Sequence, residues 1–103
     1  MTENETSYQV TLVVTFNEGG QMMPEYKEYS EKTTEIVKRN GGTPNKPFFI
    51  EKNAGNGSTP NAVFSIDFPS KEAAEKTFFS EEYKSLIPTR EVAIKEKLIL
   101  FPM

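Results

Sequence analysis

The order of its predicted strands and helices constrains the fold of this chain more than any other feature of the sequence. Tyr8 to Phe16 and Ala62 to Phe68 carry β-branched and aromatic residues in alternating patterns, which predicts two strands. Thr43 to Lys52 and Ile94 to Phe101 predict two more. Two prolines near the start of the Thr43 to Lys52 segment cannot donate to a sheet, so they favour an edge position or a late start for that strand.

Two helical regions separate these strands. The first helix begins near Pro24 and ends at the sequence Asn-Gly-Gly of residues 40–42. In the second region Ser70 is an N-cap candidate, Ser80 opens a further helical turn, and Thr89 to Ala93 form a short irregular segment. The resulting order, strand-helix-strand-strand-helix-strand, predicts an α+β ferredoxin-like domain with a four-stranded antiparallel sheet and two helices on one face.

The other face of such a sheet has no helix to cover it. The first strand carries apolar residues on both faces, and a chain of 103 residues buries only about 60 to 70% of its unfolded surface. We therefore expect a second copy of the chain to cover the open face, giving a homodimer with a barrel-like interface. Residues 1–7 are polar and predict a flexible N-terminus, which leaves 8–103 as one domain.

The composition excludes most enzyme templates, because the chain contains no His and no Cys. Acid–base catalysis by His, Ser-His or Cys-His nucleophile pairs, zinc sites of the His/Cys kind and haem or iron–sulfur ligation are all removed. No pair of carboxylates has the spacing of a di-metal site beside a His. We expect no cofactor and no metal.

The charge distribution argues against nucleic acid and membrane partners. The net charge is −3, with 12 basic and 15 acidic residues spread along the chain, so no basic stripe can neutralise a phosphate backbone. No apolar run approaches the roughly 20 residues that a bilayer requires, and the N-terminus shows no positive leader or apolar core of a signal peptide. We expect a cytoplasmic protein.

Polar contacts for a small ligand must come from tyrosines, carboxylates and arginine. Tyr26 and Tyr29 lie on the inner face of the first helix, where they either support the core or direct hydroxyls into a cleft between helix and sheet. Arg90 either anchors a carboxylate through its bidentate donors or pairs with a nearby acid such as Glu82, Glu91 or Asp67. Tyr29, Tyr83 and Arg90 are the candidate ligand contacts.

Three acids are candidates for a general base that works without His. Burial can raise the pKa of a carboxylate enough for it to take a proton. Asp67 is the weak catalytic candidate, although its place at a strand end favours a local capping role. Glu51 and Glu96 fit solvated strand positions or ion pairs at the dimer edge.

Two pairs of adjacent phenylalanines are assigned to the core and the dimer interface. Alternate residues of a strand face opposite sides, so one of Phe48 and Phe49 is expected against the helices and the other against the partner sheet. Phe78 and Phe79 are likewise divided between core and interface, with Phe78 on the inner side of its helix. The loop from Gly55 to Ser58 lacks the Lys-[ST] that follows a phosphate loop and predicts a hairpin connection.

Several short motifs occur in the order typical of a known family. Phe68-Pro-Ser opens the second helix, Ser80-Glu-Glu-Tyr follows it, and Arg90 lies downstream. Glu25-Tyr26-x-x-Tyr29 precedes the Gly-Gly helix stop, and Pro60 precedes the third strand. From about Tyr8 to Phe101 the chain resembles the bacterial family catalogued as domain of unknown function 1330.

This resemblance implies a dimeric α+β barrel in which two ferredoxin-like protomers join their open sheet faces. The wider superfamily includes cofactor-free monooxygenases, haem-degrading enzymes, muconolactone-type isomerases and stress-responsive barrels, and no activity is established for the resembling family as a class. The chain departs from the family where Pro47, Phe48 and Phe49 replace an arginine and glycines, and where residues 19–23 lengthen the entry to the first helix.

Three functional hypotheses follow. The first is a small-ligand-binding or accessory protein that uses the cleft between the first helix and the sheet, with an organic and carboxylate-bearing molecule as candidate ligand. The second is a cofactor-free oxygenase or isomerase with Asp67 as its base. The third is a structural or stress-responsive dimer without a ligand. The absence of His favours binding over catalysis.

Overall fold

The structure, a computed structural model, describes residues 7–103, and residues 1–6 of the predicted flexible N-terminus lie outside the described residues. Five strands and four helices follow one another along this part of the chain. They are β1 (Tyr8–Phe16), α1 (Pro24–Arg39), β2 (Thr43–Pro44), β3 (Phe48–Phe49), β4 (Ala62–Phe68), α2 (Lys71–Phe78), α3 (Glu81–Lys84), α4 (Ile87–Ala93) and β5 (Ile94–Leu100).

The strands form one antiparallel sheet in the order β2-β4-β1-β5, and β3 also pairs with β4. The long β1 lies in the centre, as its β-branched residues on both faces predict. Directly opposite residues share a face, so the pairs Val10–Ile66 and Leu12–Phe64 define the inner face that the helices cover. The predicted α+β ferredoxin-like fold is confirmed.

The second predicted strand, Thr43 to Lys52, is wrong in its extent. The structure has two strands of two residues there, β2 and β3, and both pair with β4 at the edge of the sheet. Pro44 and Pro47 remove two backbone donors and interrupt the ladder. Single backbone hydrogen bonds are made outside the two short strands. Between β2 and β3, Asn45 N donates to Ser65 O at 2.9 Å, and directly after β3, Ile50 N donates to Asn61 O at 3.0 Å.

The predicted helix boundaries are confirmed by their caps. Ser70 Oγ accepts from Ala73 N at 3.1 Å at the start of α2, and Ser80 Oγ accepts from Tyr83 N at 3.0 Å at the start of α3. After α1, Gly41 has a φ of 84°, the left-handed conformation that ends a helix and that favours glycine.

The segment predicted as irregular after Pro88 is instead helical. Thr89 to Ala93 form the greater part of α4, with Pro88 in the first turn, where its missing N–H leaves no hydrogen bond unmade. Asn17 N donates to Ala93 O at 2.9 Å and ties the end of α4 to the loop after β1. The same loop packs so closely that a Cβ on Gly20 would lie 2.0 Å from Ala93 O.

The core lies between the inner face of the sheet and the helices. The buried apolar residues are Val10, Leu12, Val14, Tyr29, Ile36, Val37, Ile66, Phe68, Ala74, Phe78, Tyr83, Leu86, Ala93 and Ile94. Among residues 7–103, no helix is both long enough and apolar enough to cross a bilayer.

The members of each phenylalanine pair differ in position as predicted, but one of them is more exposed than predicted. Phe48 pairs with Val63 on the open face and Phe49 with Ala62 on the inner face, yet Phe49 is 66% exposed at the edge of the sheet. The prediction that one of the two phenylalanines packs into the core is therefore wrong. Phe78 is buried, whereas Phe79 is exposed and stacks on Phe101.

Candidate functional site

A cavity of about 100 Å³ lies between α1 and the inner face of the sheet, at the place where the sequence predicts a cleft. Apolar side chains provide most of its wall, among them Leu12, Val14, Val37, Phe64, Ile66 and Ile94. The polar side chains Tyr29, Thr33 and Lys97 also line it. Part-exposed Ser30 and exposed Pro44 mark its outer end.

Lys97 lies on the inner face of the sheet, which the helices cover. In β5 it pairs with Val14, whose side chain is buried in the core, so the alternation of the strand directs Lys97 toward the helices. Its Nζ donates to Tyr29 Oη at 2.7 Å and lies 4.6 Å from the centre of the Tyr29 ring. An amine therefore lies at the wall of a largely apolar cavity.

Two buried tyrosines connect this amine to an arginine. Tyr29 Oη and Tyr83 Oη are 2.5 Å apart, and Arg90 Nη1 donates to Tyr83 Oη at 3.2 Å. Both phenol side chains are 2% exposed. The four residues form one hydrogen-bonded chain from β5 through α1 and α3 to α4.

The chain of phenols fits both protonation states of the amine. When Lys97 is an ammonium, it donates to Tyr29, and Tyr29 can donate to Tyr83. When Lys97 is a neutral amine, Tyr83 can donate to Tyr29, and Tyr29 can donate to Nζ. Two hydroxyl rotations thus move the chain between the two states, while Arg90 donates to Tyr83 in each.

Burial and charge set the protonation of this site. Burial, followed by the positive charge of Arg90, lowers the pKa of Lys97 from 10.5 to about 7. Burial, followed by the neighbouring Tyr83, raises the pKa of Tyr29 above its usual value. Near neutral pH a large share of Lys97 is therefore a neutral amine, and Tyr29 stays a neutral phenol.

The structure brings together the three residues predicted as ligand contacts. Tyr29, Tyr83 and Arg90 are consecutive members of the hydrogen-bonded chain, but of the three only Tyr29 lines the cavity. Arg90 also lies 3.6 Å from Glu91, one of its predicted acidic partners, whereas Glu82 pairs instead with Arg39 at 2.6 Å. Tyr83 and Arg90 thus lie behind Tyr29 and act on the cavity through it.

Tyr26 supports the mouth of the same cavity. It lines the cavity next to Tyr29 on α1 and packs edge-on against Phe16, with ring centres 5.0 Å apart. Tyr26 thus packs at the core and lines the cavity, and a hydrogen bond from its hydroxyl to a ligand stays a prediction.

The acids predicted as base candidates lie away from the cavity. Asp67 follows the alternation of β4 onto the open face, where its carboxylate accepts from Gln9 Nε2 at 3.0 Å and Asn45 Nδ2 at 3.2 Å. Glu96 is exposed opposite Thr15 on that face, and Glu51 is exposed after β3. A base that acts on a molecule in the cavity must be another group.

The sequence reasoning missed the two polar side chains that distinguish this cavity, Lys97 and Thr33. The signal for Lys97 was present, because counting back by twos from Phe101 through Ile99 places it on the inner face. Thr33 Oγ1 is buried and makes no hydrogen bond of ordinary length among residues 7–103, although Thr33 lies close enough to the Tyr29 phenol to lower its pKa slightly against the effect of burial. It lies one turn after Tyr29 on α1 and leaves a hydrogen bond to be made inside the cavity.

Comparison with solved structures shows the fold in proteins of low sequence identity. A protein of unknown function from Rhodopseudomonas palustris matches with a TM-score of 0.75 at 16% identity, over 96% of this chain and 84% of that one. A Dabb family protein with a ferredoxin-like fold from Mesorhizobium loti matches with a TM-score of 0.63 at 15% identity, over 94% and 95%. A protein from Bacteroides fragilis, described as dimeric and of unknown function with a ferredoxin-like fold, matches with a TM-score of 0.58 at 9% identity, over 94% and 95%.

No curated protein matches the chain. The family model described as domain of unknown function (DUF1330) matches residues 13–102, from within β1 to the end of the sheet. This match covers most of the chain and agrees with the motifs from Tyr26 to Arg90. The chain therefore belongs to the DUF1330 family.

Proposed function

We propose that this protein is a homodimeric small-ligand-binding protein. Its cavity between α1 and the sheet holds a short, largely apolar molecule that carries one oxygen-bearing head group. The observation that carries this proposal is the amine of Lys97, which lines an apolar cavity and donates to a buried tyrosine. The bound molecule would place its head group near this amine and its carbon chain against the apolar wall.

The cavity volume sets the size of the ligand. The cavity of about 100 Å³ is smaller than the ~150 Å³ engineered cavity that holds benzene. A linear molecule of about four to six non-hydrogen atoms matches this volume. Larger rings and long acyl chains exceed it.

The polar atoms of the cavity support a ligand with an oxygen acceptor. Lys97 Nζ has further donor capacity beyond its bond to Tyr29, and Thr33 Oγ1 makes no hydrogen bond among residues 7–103. A carboxylate, a carbonyl or a hydroxyl oxygen would accept from both. Leaving such a hydroxyl unpaired costs about 1 to 3 kcal/mol, which a bound ligand would recover.

The energetic cost of Lys97 also favours a functional role. A methionine or leucine at this position would pack against the same wall without desolvating an amine. The chain instead keeps a lysine among Val14, Ile94 and Phe64. Side chains whose burial lowers the stability of the folded protein are typical of binding and catalytic sites.

The dimer part of the proposal is supported by the open sheet face. Its β5 residues Leu98 and Leu100 are 42% and 47% exposed, and Phe48 is 70% exposed next to Val63. These residues form an apolar patch of the kind that marks a protein interface. The structural relative from Bacteroides fragilis is described as dimeric.

The test is an NMR titration of the protein with 1-butanol, butanoate and, as a size control, 1-octanol. We expect saturable shifts of signals from Val14, Thr33 and Ile94 with the two short compounds and none at these sites with octanol. Lys97→Met should weaken butanoate more than butanol, because only the former interacts with the charge. The matched control Lys95→Met removes an exposed lysine of the same strand and should change neither.

A cavity that no short alcohol, acid or amide perturbs would contradict the proposal. That result would favour the structural dimer without a ligand.

A further inference from the structure

We propose that Lys97 binds carbonyl compounds covalently, through a reversible imine between its Nζ and the carbonyl carbon of a short-chain aldehyde or ketone seated in the cavity. This inference rests on the proposed function and specifies the class of its ligand. It is argued from the position of the amine, its tyrosine partner and the surrounding apolar wall.

The geometry places the nucleophile and an acid together. Lys97 lines the cavity, and its Nζ lies 2.7 Å from Oη of Tyr29, which lines the cavity as well. A carbonyl carbon that approaches Nζ therefore brings its oxygen within reach of the same phenol. Thr33 Oγ1, unpaired among residues 7–103 and one helical turn from Tyr29, is a second donor for that oxygen.

The reaction balances without a further reactant. The neutral amine adds to the carbonyl carbon and forms a carbinolamine, with one N–H proton passing to the oxygen. Tyr29 then donates its proton to the departing hydroxyl, which leaves as water, and regains a proton from the nitrogen as the C=N bond forms. The net change is loss of one water, and hydrolysis reverses it.

The electrostatics of the site favour the nucleophilic amine, and Arg90 offsets part of the burial that raises the pKa of Tyr29. Arg90 from α4 is the charged group that acts on the amine, and the neutral phenols of Tyr83 from α3 and Tyr29 from α1 lie between the two. The positive charge of Arg90 and burial both favour the neutral, nucleophilic amine. Arg90 also stabilises, through Tyr83, the negative charge that develops on Tyr29 when it donates its proton.

The apolar wall protects an imine at Lys97 once it has formed. Leu12, Val14 and Ile66 exclude water from one side of the amine, which slows hydrolysis of the C=N bond. Lys95, two residues earlier in β5, is exposed and has no such surroundings. The chain thus provides its own control for the chemistry of an ordinary lysine.

The test is reductive trapping. The full-length protein is treated at neutral pH with a small excess of butanal and sodium cyanoborohydride, which converts an imine to a stable secondary amine. Peptide mapping by mass spectrometry then measures the rate of butylation at each lysine. We expect Lys97 to react at least about tenfold faster than Lys95, because an ordinary lysine is almost entirely protonated at this pH.

Three variants and one competition experiment identify the site. Lys97→Met should lose the fast reaction, Lys95→Met should keep it, and Tyr29→Phe should slow it without abolishing it. The alcohol 1-butanol fills the same space but forms no imine, so an excess should slow the labelling of Lys97 alone. If Lys97→Met fails to fold, the peptide map of the unaltered protein still decides the outcome.

The outcomes separate this inference from the proposed function. If 1-butanol shifts the NMR signals of cavity residues while Lys97 is butylated no faster than Lys95, the imine is refuted and the binding function stands. If butanol neither binds nor protects and Lys97 is not labelled faster, both fall. Fast labelling of Lys97 that butanol does not slow would place the reaction outside the cavity and overturn the inference.

Discussion

Replacing Lys97 by methionine should make the protein more stable at neutral pH and should remove a specific part of its pH dependence. Methionine keeps the length of the side chain and its packing against Val14 and Ile94, but it has no amine to desolvate. The substitution also removes the hydrogen bond to Tyr29, which can still bond to Tyr83. The gain from removing the amine exceeds the loss of one hydrogen bond.

The magnitude follows from the pKa of the amine. A pKa lowered from 10.5 to about 7 means that the unfolded chain binds more protons than the folded chain between these two values. The stability of the unaltered protein therefore rises with pH across this interval and is flat below it, where both states are protonated. At about 1.36 kcal/mol per pH unit the full rise is roughly 5 kcal/mol, and relaxation of the site reduces it to a few kcal/mol.

The assay is urea unfolding of the unaltered protein, Lys97→Met and Lys95→Met between about pH 6 and about pH 10, at one protomer concentration because a dimer's stability depends on it. We expect Lys97→Met to be more stable by about 1 to 3 kcal/mol near pH 7, after subtracting about 1 kcal/mol for the lost hydrogen bond. This difference should shrink steadily toward pH 10. Lys95→Met should follow the unaltered protein throughout.

A stability difference between Lys97→Met and the unaltered protein that does not change with pH would refute the reasoning. It would show that Lys97 keeps an ordinary pKa in the folded protein. A variant that is less stable at every pH would show that the hydrogen bond to Tyr29 outweighs the cost of burial.

Three further predictions concern the tyrosine chain, the open face and the loop after β1. Tyr29→Phe removes the hydroxyl that joins two polar partners, so it should lower the free energy of unfolding by about 1 to 3 kcal/mol, whereas Tyr26→Phe should change it by less than about 0.5 kcal/mol, both measured by urea unfolding. Leu98→Glu places a charge on the apolar patch of the open face and should convert the dimer to a folded monomer; light scattering that finds a dimer of unchanged affinity would exclude this face as the interface. Gly20→Ala puts a methyl group 2.0 Å from Ala93 O and should cost about 2 to 3 kcal/mol in thermal unfolding, and an unchanged melting temperature would show that the loop is free to move away.

The sequence predicted those parts of the fold whose determinants are local. The strand Ala62–Phe68 agrees with its alternating pattern because that pattern has a hydrophobic face to bury, and Pro69 ends it. Ser70 and Ser80 begin helices because a hydroxyl one turn before an exposed backbone N–H is a local arrangement. The segment Thr43 to Lys52 could not be assigned correctly, because two prolines compete with a run of aromatic residues and only the sheet partner decides the outcome.

The candidate site could be predicted only in part, because some of its contacts join residues that are distant in the sequence. Helical spacing directs Tyr29 inward, but nothing local shows that its hydroxyl meets Tyr83, which lies 54 residues later. Lys97 was overlooked because the charged sequence Lys-Glu-Lys conceals the alternation of β5, and a register shift opposite Thr15 and Phe16 adds to the ambiguity. The cavity itself arises from the distance between α1 and the sheet, which no sequence pattern contains.

The most direct test of the account is an NMR pH titration that follows the Cε signal of Lys97, carried out with and without 1-butanol. We expect an apparent pKa near 7 for Lys97 in the free protein, because burial and Arg90 disfavour the ammonium. We expect a lower pKa when butanol fills the cavity and excludes water from the amine. A Lys97 pKa close to 10.5 that butanol does not change would contradict the central claim that this lysine lies at the wall of a ligand-binding cavity.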